Sequence, residues 1–337
     1  MDRRAFLLGA SAAWLTMAAA PATPSLVAGN FEPLVSGLDH AEGVAVGADG
    51  AIYLSNGGKG LMARAPDGTT RNFGAPPAPA GIAVDTHGCV IVANMGLLSG
   101  VPGTLQRIDP KTGATETLAE RIDGRPLVAS NFPAVARDGS IYCTHSAWSD
   151  IQTIARTDRE GLVYRVRADG AVDVVARGLS GANGCCFDRD ETFLYVVLTG
   201  EGRICRFPRL SDGRLGERQN YGPVLGAVVP GQTVSQIRAL DTPARAALGY
   251  CDGIAFDERG DLWVTLPFGN RIVALSPRGE VTLVANDSDG AALAMPTNLA
   301  WAGRDRRDLL VVSRATGTLV KARTSVAGLK IISGEKA

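Results

Sequence analysis

Residues Gly178–Phe207 read GLSGANGCCFDRDETFLYVVLTGEGRICRF. An Asn183-Gly184 pair stands directly before an apolar run. A polar turn, Asp188-Arg189-Asp190-Glu191, follows, and then come two more apolar runs, the last ending at Phe207. Short apolar runs broken by polar turn residues predict β-strands joined by hairpins. The arrangement recurs. EGVAVGADGAIYLS begins at Glu42, AGIAVDTHGCVIVA at Ala80, NFPAVARDGSIYCT at Asn131, DGIAFDERGDLWVT at Asp252 and TNLAWAGRDRRDLLVVS at Thr297. Gly50, Gly88, Gly139 and Gly260 stand eight residues after their first positions; Glu191 takes that place in the opening stretch, and the last unit has a longer turn.

A further hairpin follows each unit, as in GLVYRVRADGAVDVV and NRIVALSPRGEVTLV, so each unit holds four strands. Successive starts lie 38, 51, 52, 69 and 45 residues apart. Four-stranded units at that period are propeller blades. The expected fold is all-β: a six-bladed β-propeller of four-stranded blades around a central channel. Phe31–Leu38 (FEPLVSGL) resembles the fourth strand of a blade. Pairing with the C-terminal strands would close the ring and remove an exposed edge.

The chain has 337 residues, and Lys+Arg and Asp+Glu both total 34. A net charge of zero gives no basic face for nucleic acid. MDRRAFLLGASAAWLTMAAAPAT has an Arg3-Arg4 pair, an apolar run to about Ala20 and small residues near Ala22. This reads as a twin-arginine-type signal peptide over residues 1–22, with 23–337 as a single propeller domain. The run is short for a transmembrane helix, which needs about 20 apolar residues. The expected location is the periplasm, with the twin-arginine export machinery as partner during targeting and no stable membrane insertion after cleavage. The six cysteines Cys89, Cys143, Cys185, Cys186, Cys205 and Cys251 form no CxxC and lie in apolar runs, so they read as buried small hydrophobes.

In a propeller the first strand of every blade lines the channel. The residue opening each unit therefore sits at one channel mouth. In order these are Glu42, Ala80, Asn131, Asn183, Asp252 and Thr297. Taken singly, Asn-Gly and Asp-Gly are ordinary turn dipeptides. Together they bring two carboxylates and two amides to one axis, without His or Cys. Such oxygen donors suit a hard divalent cation, and crowded carboxylates without one would be costly.

From about Glu42 to Ser313 the chain resembles the senescence-marker-protein/gluconolactonase family, which includes regucalcin-like lactonases. The match rests on ANGCCFDRDETFLYVVLTGEGRICRF with the DGRLGER hairpin, CDGIAFDERGDLWVTLPFGNRIVALSPRGEV and PTNLAWAGRDRRDLLVVS. The resemblance implies Glu42, Asn183 and Asp252 as ligands of one divalent ion. It implies Asn131 as a substrate-binding residue, or one that reaches the metal through water. The chain departs from the family at Asn131-Phe132-Pro133, where Asn is often followed by Asp. It departs again at Ala129, where some sugar lactonases carry a substrate-binding Arg.

The implied reaction is metal-dependent opening of a lactone or related cyclic ester on a small-molecule substrate, with Asp252 as catalytic base. Oxygen-only donors favour Ca, Mg or Mn; the resemblance also allows Zn or Fe(II). Two long loops, Thr144–Gly161 and Gly226–Tyr250, are expected to cover the metal face, the second with some helix. Trp148, Phe268, Phe132 and Met95 are candidate apolar walls, with Trp148 and Phe268 taken as substrate-binding. His87 falls at the opposite end of the channel, and His40 and His145 are expected on the metal side, at the surface or in support of the site. Two other readings remain: a lyase or isomerase on the same scaffold, and a non-catalytic binding propeller stabilised by metal.

Overall fold

The computed structural model describes residues 26–330. The signal peptide assigned to residues 1–22 lies outside them. The chain forms six antiparallel four-stranded sheets, each a blade. Blade one spans 44–73, blade two 79–119, blade three 130–179, blade four 182–221 and blade five 254–286. Blade six takes three strands from 296–323 and its outermost from Glu32–Ser36. That strand pairs antiparallel with Thr318–Arg323, Glu32 opposite Lys321, so the two ends of the chain close the ring as the sequence predicts. Leu26–Val27 adds a short parallel strand to the outer edge of blade five. Among the described residues no helix is long and apolar enough to cross a membrane.

Position within the blade explains the composition of each strand. The second strands Ile52–Ser55, Val90–Asn94, Ile141–His145 and Leu262–Leu266 are buried at every residue. Both their faces meet a neighbouring blade, so they read as unbroken apolar runs rather than alternating ones. Outer strands such as Thr70–Phe73 and Thr115–Ala119 are mostly exposed and polar. The core is accordingly divided into six layers between adjacent blades. Val196, Leu198 and Phe207 pack on blade three, while Tyr195, Val197 and Ile204 of the same sheet pack on blade five. Period-two alternation sends successive side chains into different layers.

The hairpin turns hold the repeat's glycines in the left-handed region: φ is 81° at Gly50, 80° at Gly88, 82° at Gly139 and 88° at Gly260. Glu191 occupies the same conformation at φ 54°. A non-glycine residue there costs about 1 kcal/mol. The Glu191 side chain offsets this by accepting the Arg137 N–H at 2.9 Å and pairing with Arg209, both links to neighbouring elements.

The two long loops pack on each other. The second carries helices α1 (Val234–Arg238) and α2 (Thr242–Ala246). Thr233 caps α1 with a capping box and Asp241 caps α2. Ala155, Ile237, Leu248 and Tyr250 form a small apolar core of their own beneath these loops. The cysteines match expectation. Cys143, Cys185, Cys205 and Cys251 are buried, and Cys89 and Cys186 are half-buried; none is in a disulfide. Burial pushes the thiols of Cys143 and Cys205 up to about 12.

Candidate metal centre

The ring residues reach the channel through a shared irregularity. In blades two, three, four and six the first strand carries two residues where its neighbour has one. These pairs are Ala80-Gly81, Asn131-Phe132, Asn183-Gly184 and Thr297-Asn298. Each is a β-bulge, which breaks the alternation and re-aims a side chain. In blades one and five the ordered strand begins just after the corresponding Glu42-Gly43 and Asp252-Gly253.

The glycines in these pairs are therefore not turn residues. Asn183-Gly184 lies within the strand Ala182–Phe187. What the position demands is room. A Cβ on Gly43 would lie 2.6 Å from the Ala80 carbonyl oxygen, and one on Gly253 2.6 Å from that of Thr297. A Cβ on Gly184 would run into the Asp252 carbonyl oxygen. Each glycine lets the next blade's backbone close against the channel wall.

Side-chain hydroxyls tie four of the six blade junctions, from blade three round to blade one. Thr144 donates to the Asn183 carbonyl at 2.7 Å, Thr265 to that of Thr297 at 3.0 Å, and Thr297 to that of Glu42 at 3.0 Å. Two more hydroxyls fix the amides. Ser146 donates to the Ala182 carbonyl at 2.8 Å and accepts from Asn131 Nδ2 at 2.9 Å. Thr199 donates to the Cys251 carbonyl at 2.8 Å and accepts from Asn183 Nδ2 at 3.1 Å. Each hydroxyl has one proton and a carbonyl cannot donate, so only the NH₂ end of each amide can face it. Among the described residues no hydrogen bond uses Oδ1 of Asn131 or Asn183.

Asp252 stands where these parts meet. It is half-buried by surface area yet surrounded by protein. Desolvation and the neighbouring Glu42 charge push its carboxyl well above the usual range, while Arg314 and a hydrogen bond from Asn183 act the other way. Arg314 Nη1 donates to Glu42 Oε2, and the two side chains are 30% and 19% exposed. Sequence reasoning missed Arg314. It follows the second strand of blade six, and nothing in its local sequence marks it.

The structure thus brings together Glu42, Asn183 and Asp252, with Asn131 on the same cavity wall as Asn183. The set fits a hard cation: two crowded carboxylates and two amides whose oxygens are unclaimed. Among the described residues no group of three or more His, Cys, Asp or Glu side chains converges. The donors here are mixed, with amides completing the carboxylate pair.

Beside the ring is a cavity of about 150 Å³, lined in part by Met95, Asn131, Ile154, Arg156, Asn183 and Thr199. The first long loop supplies much of its wall, as expected. Arg156 is tied there to Asp150, Asp158 and Glu160, and Arg159 to Glu201. Trp148 and Phe268 lie outside this lining. Trp148 stacks on His145 at 4.1 Å and under Arg125 at 4.3 Å, and its Nε1 donates to the Pro126 carbonyl. Phe268 packs edge-on to Tyr250 at 6.0 Å within the loop core. Phe132 borders the core between blades three and four.

Of the histidines, His40 is exposed beside Asp39, and His87 lies in the turn at the far end of blade two. His145 is not at the surface but fully buried. Its Nε2 accepts the Ala129 N–H at 3.2 Å and the Val128 N–H at 3.4 Å, which leaves its proton on Nδ1. Burial and the Arg125 charge hold its pKa down at about 3. It is a neutral support for the segment leading into Asn131. Ala129 itself is fully buried and offers only packing.

Residues 41–315 match the model of the SMP-30/Gluconolactonase/LRE-like region, and the chain belongs to that family. It is 28% identical over 196 residues to 6-deoxy-6-sulfogluconolactonase of Pseudomonas putida, a match covering 58% of this chain. It is 23% identical over 222 residues to gluconolactonase of Zymomonas mobilis, covering 65% of this chain. The matched stretches span 59% and 57% of those two relatives. Among solved structures, regucalcin of Agrobacterium tumefaciens, described as a calcium-binding protein, superposes with a TM-score of 0.67 at 18% identity, over 91% of this chain and 97% of its own.

Proposed function

We propose that the protein is a divalent-metal-dependent lactonase that opens a lactone or related cyclic ester with water, and that it works in the periplasm after export. The observation that carries the reading is the convergence of Glu42 and Asp252 with two amides whose carbonyl oxygens are left unclaimed. The names of the relatives, two of them gluconolactonases, support the choice of reaction. Glu42, Asn183 and Asp252 would hold the ion, with Ca, Mg or Mn preferred by an all-oxygen set. When bound, the ion supplies positive charge that polarises the ester carbonyl and steadies the developing oxyanion.

The chain's own groups do the rest. Asn131, its amide fixed by Ser146, presents Oδ1 to a substrate hydroxyl. Asp252 takes the proton of the attacking water on the carboxylate oxygen that the ion leaves free. The first long loop walls the cavity, the second packs behind it, and the space limits the substrate to a small molecule. Water adds to the carbonyl carbon, the ring C–O bond breaks, and a carboxylate, an alcohol and one proton result.

Proton release from a panel of γ- and δ-lactones tests the proposal, with chelator and with each metal restored. Turnover should vanish with chelator and return with one ion. Asp252→Asn should bind metal weakly and lose turnover. A variant that binds the ion and keeps full activity would exclude Asp252 as base. Ion binding without turnover on any lactone would move the assignment to a lyase or a binding propeller.

A further inference from the structure

Arg314 is a charged group in contact with this site's carboxylates that the lactonase reading does not use. Its guanidinium is paired with Glu42 and lowers the Asp252 pKa, so it acts on both carboxylates at once. The arginines that line the cavity are already engaged: Arg156 with Asp150, Asp158 and Glu160, and Arg159 with Glu201, which it shares with Arg218. The charge count at the ring is therefore simple. Glu42 and Asp252 give two negative charges and Arg314 one positive, a sum of one negative. A divalent ion on Glu42 and Asp252 turns that sum to one positive. A half-exposed guanidinium beside a neutralised carboxylate then has no acid partner left.

We propose that Arg314 is a displaceable counter-ion and the anion-recognising residue of this site. It holds Glu42 until a cation takes that carboxylate, and then turns its guanidinium toward one anionic group on the ligand, a carboxylate or sulfonate in chemical class. The proposal rests on the metal reading given above and adds a specificity to it. The loaded site discriminates in favour of a monoanionic ligand over a neutral polyol of the same size. Arg314 contributes positive charge in both states, so it opposes metal binding and favours anion binding. Guanidinium suits the second task, because its planar fork matches a carboxylate with two hydrogen bonds.

The opposing signs make the test decisive. Mn²⁺ affinity is measured by calorimetry on wild type, Arg314→Gln and Arg314→Lys. D-gluconate and sorbitol are then titrated into the Mn²⁺-loaded proteins, with circular dichroism to verify the fold. Removing the charge should tighten Mn²⁺ binding about tenfold and weaken gluconate binding about tenfold, leaving sorbitol unchanged. Arg314→Lys keeps the charge and loses the fork, so it should match wild type for Mn²⁺ and fall between the two for gluconate. Unchanged or weaker Mn²⁺ binding in Arg314→Gln overturns the counter-ion role. Unchanged gluconate binding overturns the anion role. If neither wild type nor variant binds any divalent ion, the metal reading itself fails and this inference falls with it.

Discussion

Gly253→Ala separates two explanations of the glycine that follows Asp252. If that glycine were a turn residue, its value would lie in backbone freedom. The structure places it outside the left-handed region, with a Cβ position 2.6 Å from the Thr297 carbonyl oxygen and 2.7 Å from the Asn298 Cα. Ordinary contact begins at 3.4 Å, so 3.4 less 2.6 leaves about 0.8 Å for one blade to yield. The obstacle is backbone on both counts, and no rotamer change relieves it. Overpacking of this kind costs about 1–3 kcal/mol. The reduced freedom of the unfolded chain returns about 0.4–1 kcal/mol. A net loss of about 1 kcal/mol is expected in urea unfolding with chelator present. Asp252 shifts with its neighbour, so metal affinity should drop by about tenfold or more. Gly29→Ala is the control: nothing lies within 4 Å of its Cβ position, and it should be neutral or slightly stabilising. If Gly253→Ala matches that control in both stability and metal affinity, the blades do not meet at this glycine and the steric reasoning is wrong.

Thr199→Ala strands the Asn183 amide and the Cys251 carbonyl, a loss of about 1–3 kcal/mol with weakened metal binding; Thr199→Ser should restore both, and failure of that rescue would count against the amide-fixing role. His145 predicts an acid sensitivity. Its pKa falls from 6.5 to about 3 on folding, so the unfolded chain binds the proton more tightly. Stability should be complete above about pH 6.5 and decline as pH falls toward 3, by up to about 1.4 kcal/mol per unit. Urea midpoints of His145→Gln should lack that component, and parallel pH profiles for the two proteins would refute it.

The blades were legible because burial on both faces forces unbroken apolar second strands, and because the turn glycines recur at a fixed offset. Glu191 shows the limit of that rule: the left-handed conformation persists there without glycine, supported by Arg137 and Arg209 from other parts of the chain. The ring positions were legible for the same periodic reason. The bulges that aim them were not, since two residues opposite one leave no mark on a single strand's sequence. Taken singly, Asn183-Gly184 reads as a turn because both turns and close backbone approach select glycine. Arg314 escaped because its partner Glu42 lies 272 positions away, and only ring closure joins them. Trp148 belongs to the first long loop and Phe268 to the short turn Pro267–Gly269 of blade five, but the direction of such a side chain is set by packing that no periodicity encodes.

Ring closure has a kinetic meaning as well. Glu32–Ser36 is synthesised long before its partner Thr318–Arg323. On a ribosome this strand has no mate until the other five blades have been made. The final seam joins the most distant segments in the sequence, which makes it the slowest contact to find. A circular permutant carrying residues 26–38 after Lys330 would make that pairing local. It should refold faster at equal stability, and equal refolding rates would show that closure is not the slow step.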